Sequence, residues 1–311
     1  MKILVSGSSG FVGQALVHSL LGSGHVVCRL LRPGSSPLPG ARENRLGGIP
    51  VRWNPATGEL HGIAAGAEAV VHLAGASIAS GRWNPQRKAQ LLTSRIFTTR
   101  NLVNAISRLE PRPKILVSAS AVGYYGSRGD EELTESSPPG ADFLAGVCQA
   151  WEAEAVCAEG FGMRAAQLRF GMILGRHGGA LARMLPPFRM GLGGRLGSGR
   201  QWVPWLTLEE AVSIICFVLE TNDASGPINA VSPAPVRNTE FTSALAHALH
   251  RPAFLPVPAL ALRLTLGEMA RPLLLASQRV IPSRLSVLGY RFLHPELPAA
   301  LATALSPSGS Q

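Results

Sequence analysis

Short apolar runs and amphipathic stretches alternate along the first half of the chain. Ile3–Ser6, Val26–Leu31, Ala69–Leu73, Ile115–Ser118 and Ala165–Arg169 are largely apolar runs of strand length, as expected of strands buried on both faces. Between them, Phe11–Leu21, Gln86–Arg108 and Leu144–Glu159 carry helical periodicity. This alternation predicts an α/β fold built on a doubly wound parallel sheet with helices on both faces. Beyond Gly171 the texture changes to glycine- and proline-rich loops, Gly175–Gly179 and Gly191–Gly199, of the kind that shape pockets. A helix at Leu208–Leu219, a strand at Ile228–Val231, a helix at Thr239–Leu249 and an Ala/Leu-rich segment from Pro258 to Leu275 predict a smaller C-terminal α/β substrate region. The chain has no internal repeat, and its end from Ser306 is expected to fray.

Composition narrows the function classes. With 311 residues, 46% hydrophobic and 15% charged, the chain is no disulfide-stapled miniprotein and no disordered tail. A net charge of +10 points first to nucleic acid or an anionic surface, so the spread of that charge matters. Residues 1–150 hold 15 basic against 9 acidic side chains, residues 151–311 hold 14 against 10, and no basic run exceeds Arg87–Lys88. A charge so dispersed predicts neither a nucleic-acid nor a membrane partner. Cys28, Cys148, Cys157 and Cys216 lie scattered, without a C-x-x-C or a histidine at zinc-ligand spacing, which predicts reduced thiols, no metal and a cytoplasmic location. Gly7, Gly10 and Gly13 interrupt the apolar N-terminus, which therefore does not read as a signal peptide.

The same glycines carry chemistry. Gly7-Ser8-Ser9-Gly10-Phe11-Val12-Gly13 follows the first predicted strand and opens the first predicted helix, the context a dinucleotide-binding loop requires. Gly7 allows a tight turn, Gly10 a close approach to pyrophosphate and Gly13 close helix–strand packing, while the helix N-terminus offers free N–H groups to the anion. An NAD enzyme usually places an acid at the end of the second strand to bind the ribose hydroxyls, yet no acid precedes Glu43. Arg32 stands there instead, where a guanidinium can fork onto a 2′-phosphate, so the expected cofactor is NADP(H). Arg29, earlier in the same strand, is the lesser candidate, and a merely solvated Arg32 is the plainer alternative.

Val71-His-Leu-Ala-Gly75 and Ser118-Ala-Ser-Ala-Val-Gly-Tyr-Tyr-Gly126, each following a predicted strand, resemble the extended, epimerase-like branch of the short-chain dehydrogenase/reductase superfamily. The resemblance implies a Rossmann fold of the extended-reductase type, with a serine orienting the substrate and a Tyr-x-x-x-Lys pair moving the proton. That pair is absent. Lysine occurs only at Lys2, Lys88 and Lys114, and no tyrosine has a lysine four residues later. Counting back from Glu152, the places of the pair fall on about Leu144 and Cys148.

With Arg82-Trp83, Ser94-Arg95, Asp142-Phe-Leu, Trp151-Glu152, Gly178-Gly-Ala-Leu181, Gly226-Pro-Ile-Asn229 and Gln278 through Phe292, the chain resembles one atypical subgroup of NAD-dependent epimerase/dehydratase-like proteins. These end in a short C-terminal module, and the resemblance runs to about Leu305. It implies an NADP-binding Rossmann domain over residues 1–175, a substrate or lid region over 176–250, the family module over 251–305 and a tail over 306–311. It places cofactor contacts on the glycine loop, Arg32, Leu73, Ala74, Gln90, Arg95 and Ile173.

Replacements for the missing base are expected among Ser120, Tyr124 and Tyr125, against a packing role for the same side chains. Arg195, Arg200 and Trp202 read as a substrate lid suited to an anionic or ring-bearing ligand, or as a solvated loop. Two readings stay open. The chain is an NADP(H)-dependent oxidoreductase or epimerase-like enzyme of unknown small-molecule substrate, or a non-catalytic NADP(H)-binding sensor or interaction protein. A monomer or homodimer is expected.

Overall fold

The computed structural model describes residues 1–33 and 47–306, so most of the expected frayed tail lies outside the described residues. The first half runs β1 (Lys2–Ser6), α1 (Phe11–Gly22), β2 (Val26–Leu31), β3 (Ile49–Arg52), β4 (Ala69–His72), α2 (Pro85–Ile106), β5 (Ile115–Ala121), β6 (Glu132–Leu133), α3 (Phe143–Val156), β7 (Arg164–Phe170) and β8 (Met172–Gly175). The rest runs α4 (Gly179–Arg189), β9 (Trp202–Val203), β10 (Trp205–Thr207), α5 (Leu208–Glu220), β11 (Gly226–Ala230), β12 (Val236–Arg237), α6 (Asn238–Ala248), α7 (Ala259–Leu266), β13 (Arg279–Val280), α8 (Ser283–Val287) and α9 (Leu297–Leu305).

Seven parallel strands form the central sheet in the order β11-β7-β5-β4-β1-β2-β3. The order reverses between β1 and β4, the switch point where ligands bind outside the carboxyl ends of strands. Apolar side chains on alternate faces of each strand make two cores. Leu16, Val17 and Leu20 of α1 pack with Ile214, Ile215 and Val218 of α5 on one face, and Leu102, Val103 and Ile106 of α2 pack with Ala155 of α3 on the other. This is the doubly wound Rossmann sheet expected from the alternating pattern.

The differences from the sequence reading have local causes. β3 escaped it because Pro50 interrupts the run, and β3 is an edge strand, where proline's missing N–H costs no ladder bond. The helix expected to reach Glu159 ends at Val156 and tightens into a 3₁₀ turn over Cys157–Phe161. The Pro258–Leu275 segment is broken at Gly267, whose φ of 66° leaves the helical region, and it resumes as a single π-helical turn at Arg271–Leu275.

A third core lies outside the sheet, where Leu181, Leu185 and Phe188 of α4 meet Phe241 and Leu245 of α6 and Leu297 and Leu301 of α9. Buried polar groups fasten the C-terminal segment to the sheet. Glu210, on α5, accepts from the Tyr290 hydroxyl at 2.5 Å and the His294 N–H at 2.9 Å. Gln278 donates to the carbonyls of Val122 and Gly126, both at 2.9 Å, and Glu135 accepts from the N–H groups of Asn229 and Arg284.

Candidate functional site

The turn from β1 into α1 forms at the switch point, and its glycines are required by contact rather than by flexibility alone. Gly7 has φ 73°, and a Cβ there would lie 2.7 Å from the Leu73 carbonyl carbon and 2.8 Å from the Ala74 nitrogen. A Cβ on Gly13 would sit 2.1 Å from the Gly7 carbonyl oxygen. The loop after β1 is therefore pressed against both its own helix and the end of β4, which leaves no room for a side chain in the cradle. A Gly13→Ala variant is expected to lose about 2 kcal/mol of stability by overpacking and about tenfold in dinucleotide affinity. Thermal melts and a cofactor titration check it, and an unchanged melting temperature would contradict the packing argument.

The cradle suits an anion. α1 has no side-chain N-cap and no acidic residue in its first turn, so its leading N–H groups and the positive end of its dipole are left to a ligand. Ser8 Oγ is buried and has no hydrogen-bond partner among the described residues. Such an orphaned hydroxyl beside uncapped amides matches a missing phosphate acceptor. Ser6, the last residue of β1, is in register with Leu30, and Arg32, exposed, follows directly after β2. Arg29 is buried.

Phe11 closes the other side of the loop. A Cβ on Gly175 or Gly178 would fall 2.4 or 2.3 Å from its ring, so the glycine-rich hairpin between β8 and α4 is shaped around that ring. Ile173, on β8, packs against the core below it. Leu73 and Ala74 are half-buried where β4 ends.

Arg95 and Gln90 lie on α2. Arg95 donates to the carbonyls of Ala76 at 3.0 Å and Leu91 at 3.2 Å, and its guanidinium stands 5.1 Å over the Trp151 ring. Burial lowers its pKa from the ordinary arginine value. No carboxylate pairs with it among the described residues, which leaves its charge available to an anion. Gln90 is exposed and accepts from Arg87 at 2.5 Å.

A buried histidine sets where α2 sits. Thr99 Oγ1 donates to the Arg95 carbonyl at 2.6 Å, so it accepts from His72 Nε2 at 2.9 Å. His72 Nδ1 is then the acceptor for the Ser6 hydroxyl at 2.5 Å, and the ring is neutral. This chain ties β1, β4 and α2 together directly behind the cradle.

The proposed replacements for the base come out differently from one another. Ser120 donates to Glu152 Oε1 at 2.6 Å. Tyr125 is fully buried, donates to Asn229 Oδ1 at 2.6 Å and accepts from Arg169 at 2.9 Å. Burial pushes its pKa up to about 12, with the Arg169 charge working the other way. Tyr124 is half-buried, its hydroxyl takes no partner among the described residues, and the Arg169 guanidinium lies 3.5 Å over its ring. Only Tyr124 thus keeps a free hydroxyl. The sequence reading missed the pair beneath these residues: Glu152 and Arg169 are joined by two hydrogen bonds of 2.8 Å. A buried arginine near the end of one strand and an acid on the helix that precedes it were the available signal.

Leu144 and Cys148 lie on α3, packed against Gly123. Burial raises the Cys148 thiol to about 12, helped by the nearby Glu152 carboxylate, so it stays protonated.

The lid candidates do not converge on the cradle. Arg195 lines a pocket of about 380 Å³ with Thr239, Thr242, Ser243 and Phe254. Trp202 is stacked between Arg237, at 4.6 Å, and Arg279, at 5.3 Å, and donates to Asp130 at 2.8 Å. Arg200 is exposed, and its carbonyl accepts from Arg237 at 2.5 Å. No described helix is long and apolar enough to cross a membrane, and no metal-ligand cluster occurs among the described residues.

Known proteins match this architecture over almost the whole chain. The model of the NAD dependent epimerase/dehydratase family matches residues 3–231, and that of a domain of unknown function, DUF1731, matches residues 257–304. Epimerase family protein ML0860 of Mycobacterium leprae is 39% identical over 303 residues, covering 97% of this chain and 95% of that protein. The crystal structure of human epimerase family protein SDR39U1 (isoform 2) with NADPH superposes with TM-score 0.86 at 36% identity, covering 97% of this chain and 98% of that one. A structure described as the nucleoside-diphosphate sugar epimerase of Corynebacterium glutamicum gives TM-score 0.76 at 32% identity, covering 97% of this chain and 57% of that one. The doubly wound sheet and the C-terminal module thus agree with the comparisons, and the chain belongs to the NAD dependent epimerase/dehydratase family.

Proposed function

We propose that the protein is an NADP(H)-dependent oxidoreductase or epimerase-like enzyme. The observation that carries the reading is the cradle: glycines with no room for a Cβ, an uncapped helix N-terminus and an orphaned Ser8 hydroxyl, with Arg32 exposed at the end of the neighbouring β2. The α1 amides would hold the pyrophosphate, Arg32 the 2′-phosphate and Arg95 a further anionic group, with Leu73, Ala74, Gln90 and Ile173 lining the crevice. The human relative crystallised with NADPH supports the choice of dinucleotide. When bound, the dinucleotide supplies hydride-transfer chemistry. The chain's own contribution is a polarising hydrogen bond from Tyr124, because Ser120 and Tyr125 spend their hydroxyls on Glu152 and Asn229. The free cysteines fit a reducing cytoplasm.

The test is a pair of titrations. NADPH is expected to bind more tightly than NADH, and Arg32→Asp to weaken NADPH by on the order of a hundredfold while sparing NADH. Equal losses for both dinucleotides would refute the role of Arg32.

A second reading, a non-catalytic NADP(H)-binding sensor, is favoured by the lysine census, since no tyrosine of the chain has a lysine four residues later. It predicts unequal affinity for NADP⁺ and NADPH and a protein partner whose capture depends on which form is bound. Steady NADPH consumption with any carbonyl substrate that is lost in Tyr124→Phe would decide for the enzyme.

A further inference from the structure

Helix α6 carries a small polar face that the core does not use. Phe241 and Leu245 enter the third core, while Thr239, Thr242, Ser243 and Ala246 recur at i, i+3, i+4 and i+7 on another face. A face of that composition ordinarily meets water. Here it encloses, with the segment 253–256 and Arg195, a cavity of about 380 Å³. That volume lies within the range of small-molecule sites, roughly 300–1,000 Å³. Thr242 is only 5% exposed, and its hydroxyl has no hydrogen-bond partner among the described residues. An unpaired buried hydroxyl costs about 1–3 kcal/mol, which an acceptor bound in the cavity would recover.

The loop that presents Arg195 is fastened by backbone bonds. The Leu255 and Val257 N–H groups donate to the Gly193 and Arg195 carbonyls at 3.3 and 2.9 Å, Gly197 donates back to Val257 at 2.9 Å, and the Leu196 N–H donates to Asn238 Oδ1 at 2.8 Å. A Cβ on Gly194 would lie 1.7 Å from the Leu255 carbonyl oxygen, and one on Gly199 would lie 2.5 Å from Thr239 Cγ2. The loop is thus pressed against both the 253–256 segment and α6, and its cation is placed before any ligand arrives. No carboxylate pairs with Arg195 among the described residues, and its guanidinium donates only to the Ser198 carbonyl, at 3.3 Å. Glu240, the single acid of α6, instead accepts from the Arg237 N–H at 2.7 Å.

Charge and surface narrow the ligand. The leading α6 amides of Asn238 and Thr239 already donate to the Gln201 and Gly199 carbonyls, so the nest of free N–H groups that suits a phosphate dianion is not offered. What remains is one guanidinium and neutral hydroxyls, and one guanidinium forks onto one carboxylate. Phe254, 72% exposed, and Ala246 line the same cavity with hydrocarbon. The cavity shares no lining residue with the glycine cradle, Arg95 or Tyr124. We propose that it is a second small-molecule site, which takes a monocarboxylate with an aryl or short hydrocarbon body. Arg195 forks onto the carboxylate, Thr242 Oγ1 donates to it, and Phe254 covers the body. This site stands independently of the proposed function of the crevice.

The experiment titrates the full chain with 3-phenylpropionate, its uncharged counterpart 3-phenylpropan-1-ol and inorganic phosphate, read by ligand-observed NMR with and without saturating NADPH. The carboxylate is expected to bind about tenfold more tightly than either of the others, and NADPH is expected not to displace it. Arg195→Met should weaken it by about tenfold, to the level of the alcohol. Thr242→Val should weaken it by about fivefold while the melting temperature stays level or rises, because valine keeps the shape and removes the orphaned hydroxyl. Equal affinity for the acid and the alcohol, tighter binding of phosphate, displacement by NADPH, or carboxylate binding indifferent to both variants would each overturn the proposal.

Discussion

Arg169→Met is expected to cost about 4 kcal/mol of folding stability, the range typical of removing one partner from a buried ion pair. The Arg169 and Glu152 side chains are only 3% and 11% exposed, and they are joined in a fork by two bonds of 2.8 Å. Burial alone would lower the arginine's pKa, but the hydrogen bonds and charge of Glu152 and the Tyr125 hydroxyl raise it above its ordinary value. Methionine fills much of the volume but leaves the Glu152 carboxylate without its counter-charge and Tyr125 without a donor. The double variant Arg169→Met, Glu152→Gln should recover roughly half of the loss, because glutamine removes the orphaned charge and still accepts from Ser120. Urea unfolding curves check both, and strictly additive losses would show that the pair is not coupled. Tyr124 also loses the guanidinium beneath its ring, so any turnover should fall by more than the folded fraction explains.

The second large effect is a loss of stability in mild acid. His72 is fully buried, and that burial holds its pKa down at about 4, against 6.5 for the free side chain. Between those values the unfolded chain binds a proton that the folded chain refuses, so stability rises with pH. The contribution is complete above 6.5 and is lost as pH falls through about 4, for a total of about 3 kcal/mol. The physical cause is the network itself. A protonated ring would turn Nδ1 into a donor facing the Ser6 hydroxyl and would carry a charge with no counter-ion in the core. His72→Gln should flatten this part of the pH profile relative to the native chain, although it is less stable at neutral pH. Parallel pH profiles for the two proteins would refute the assignment.

The candidate site was legible in the sequence to different depths. The glycine loop was readable because its requirement is local: glycines at fixed spacing between a strand and a helix must turn tightly. The catalytic half was not, because Ser120, Tyr124 and Tyr125 look alike in a list. Only the fold gives two of them partners from far along the chain, Glu152 and Asn229, and leaves the third without one. Trp202 likewise reads as a ligand-facing aromatic until Arg237 and Arg279 close on it.

The sequence by itself determined the alternation of strands and helices, the anion cradle and the absence of a Tyr-x-x-x-Lys pair, all set by neighbours within a few residues or by a count of lysines. The tertiary structure alone decided which of the three hydroxyls keeps no partner among the described residues and that His72 is a neutral pin rather than a base. Those outcomes depend on desolvation and on partners 27 to 104 positions apart, as in the bonds His72–Thr99 and Tyr125–Asn229. Burial and pairing are properties of the packed molecule, and no local pattern along the chain encodes them.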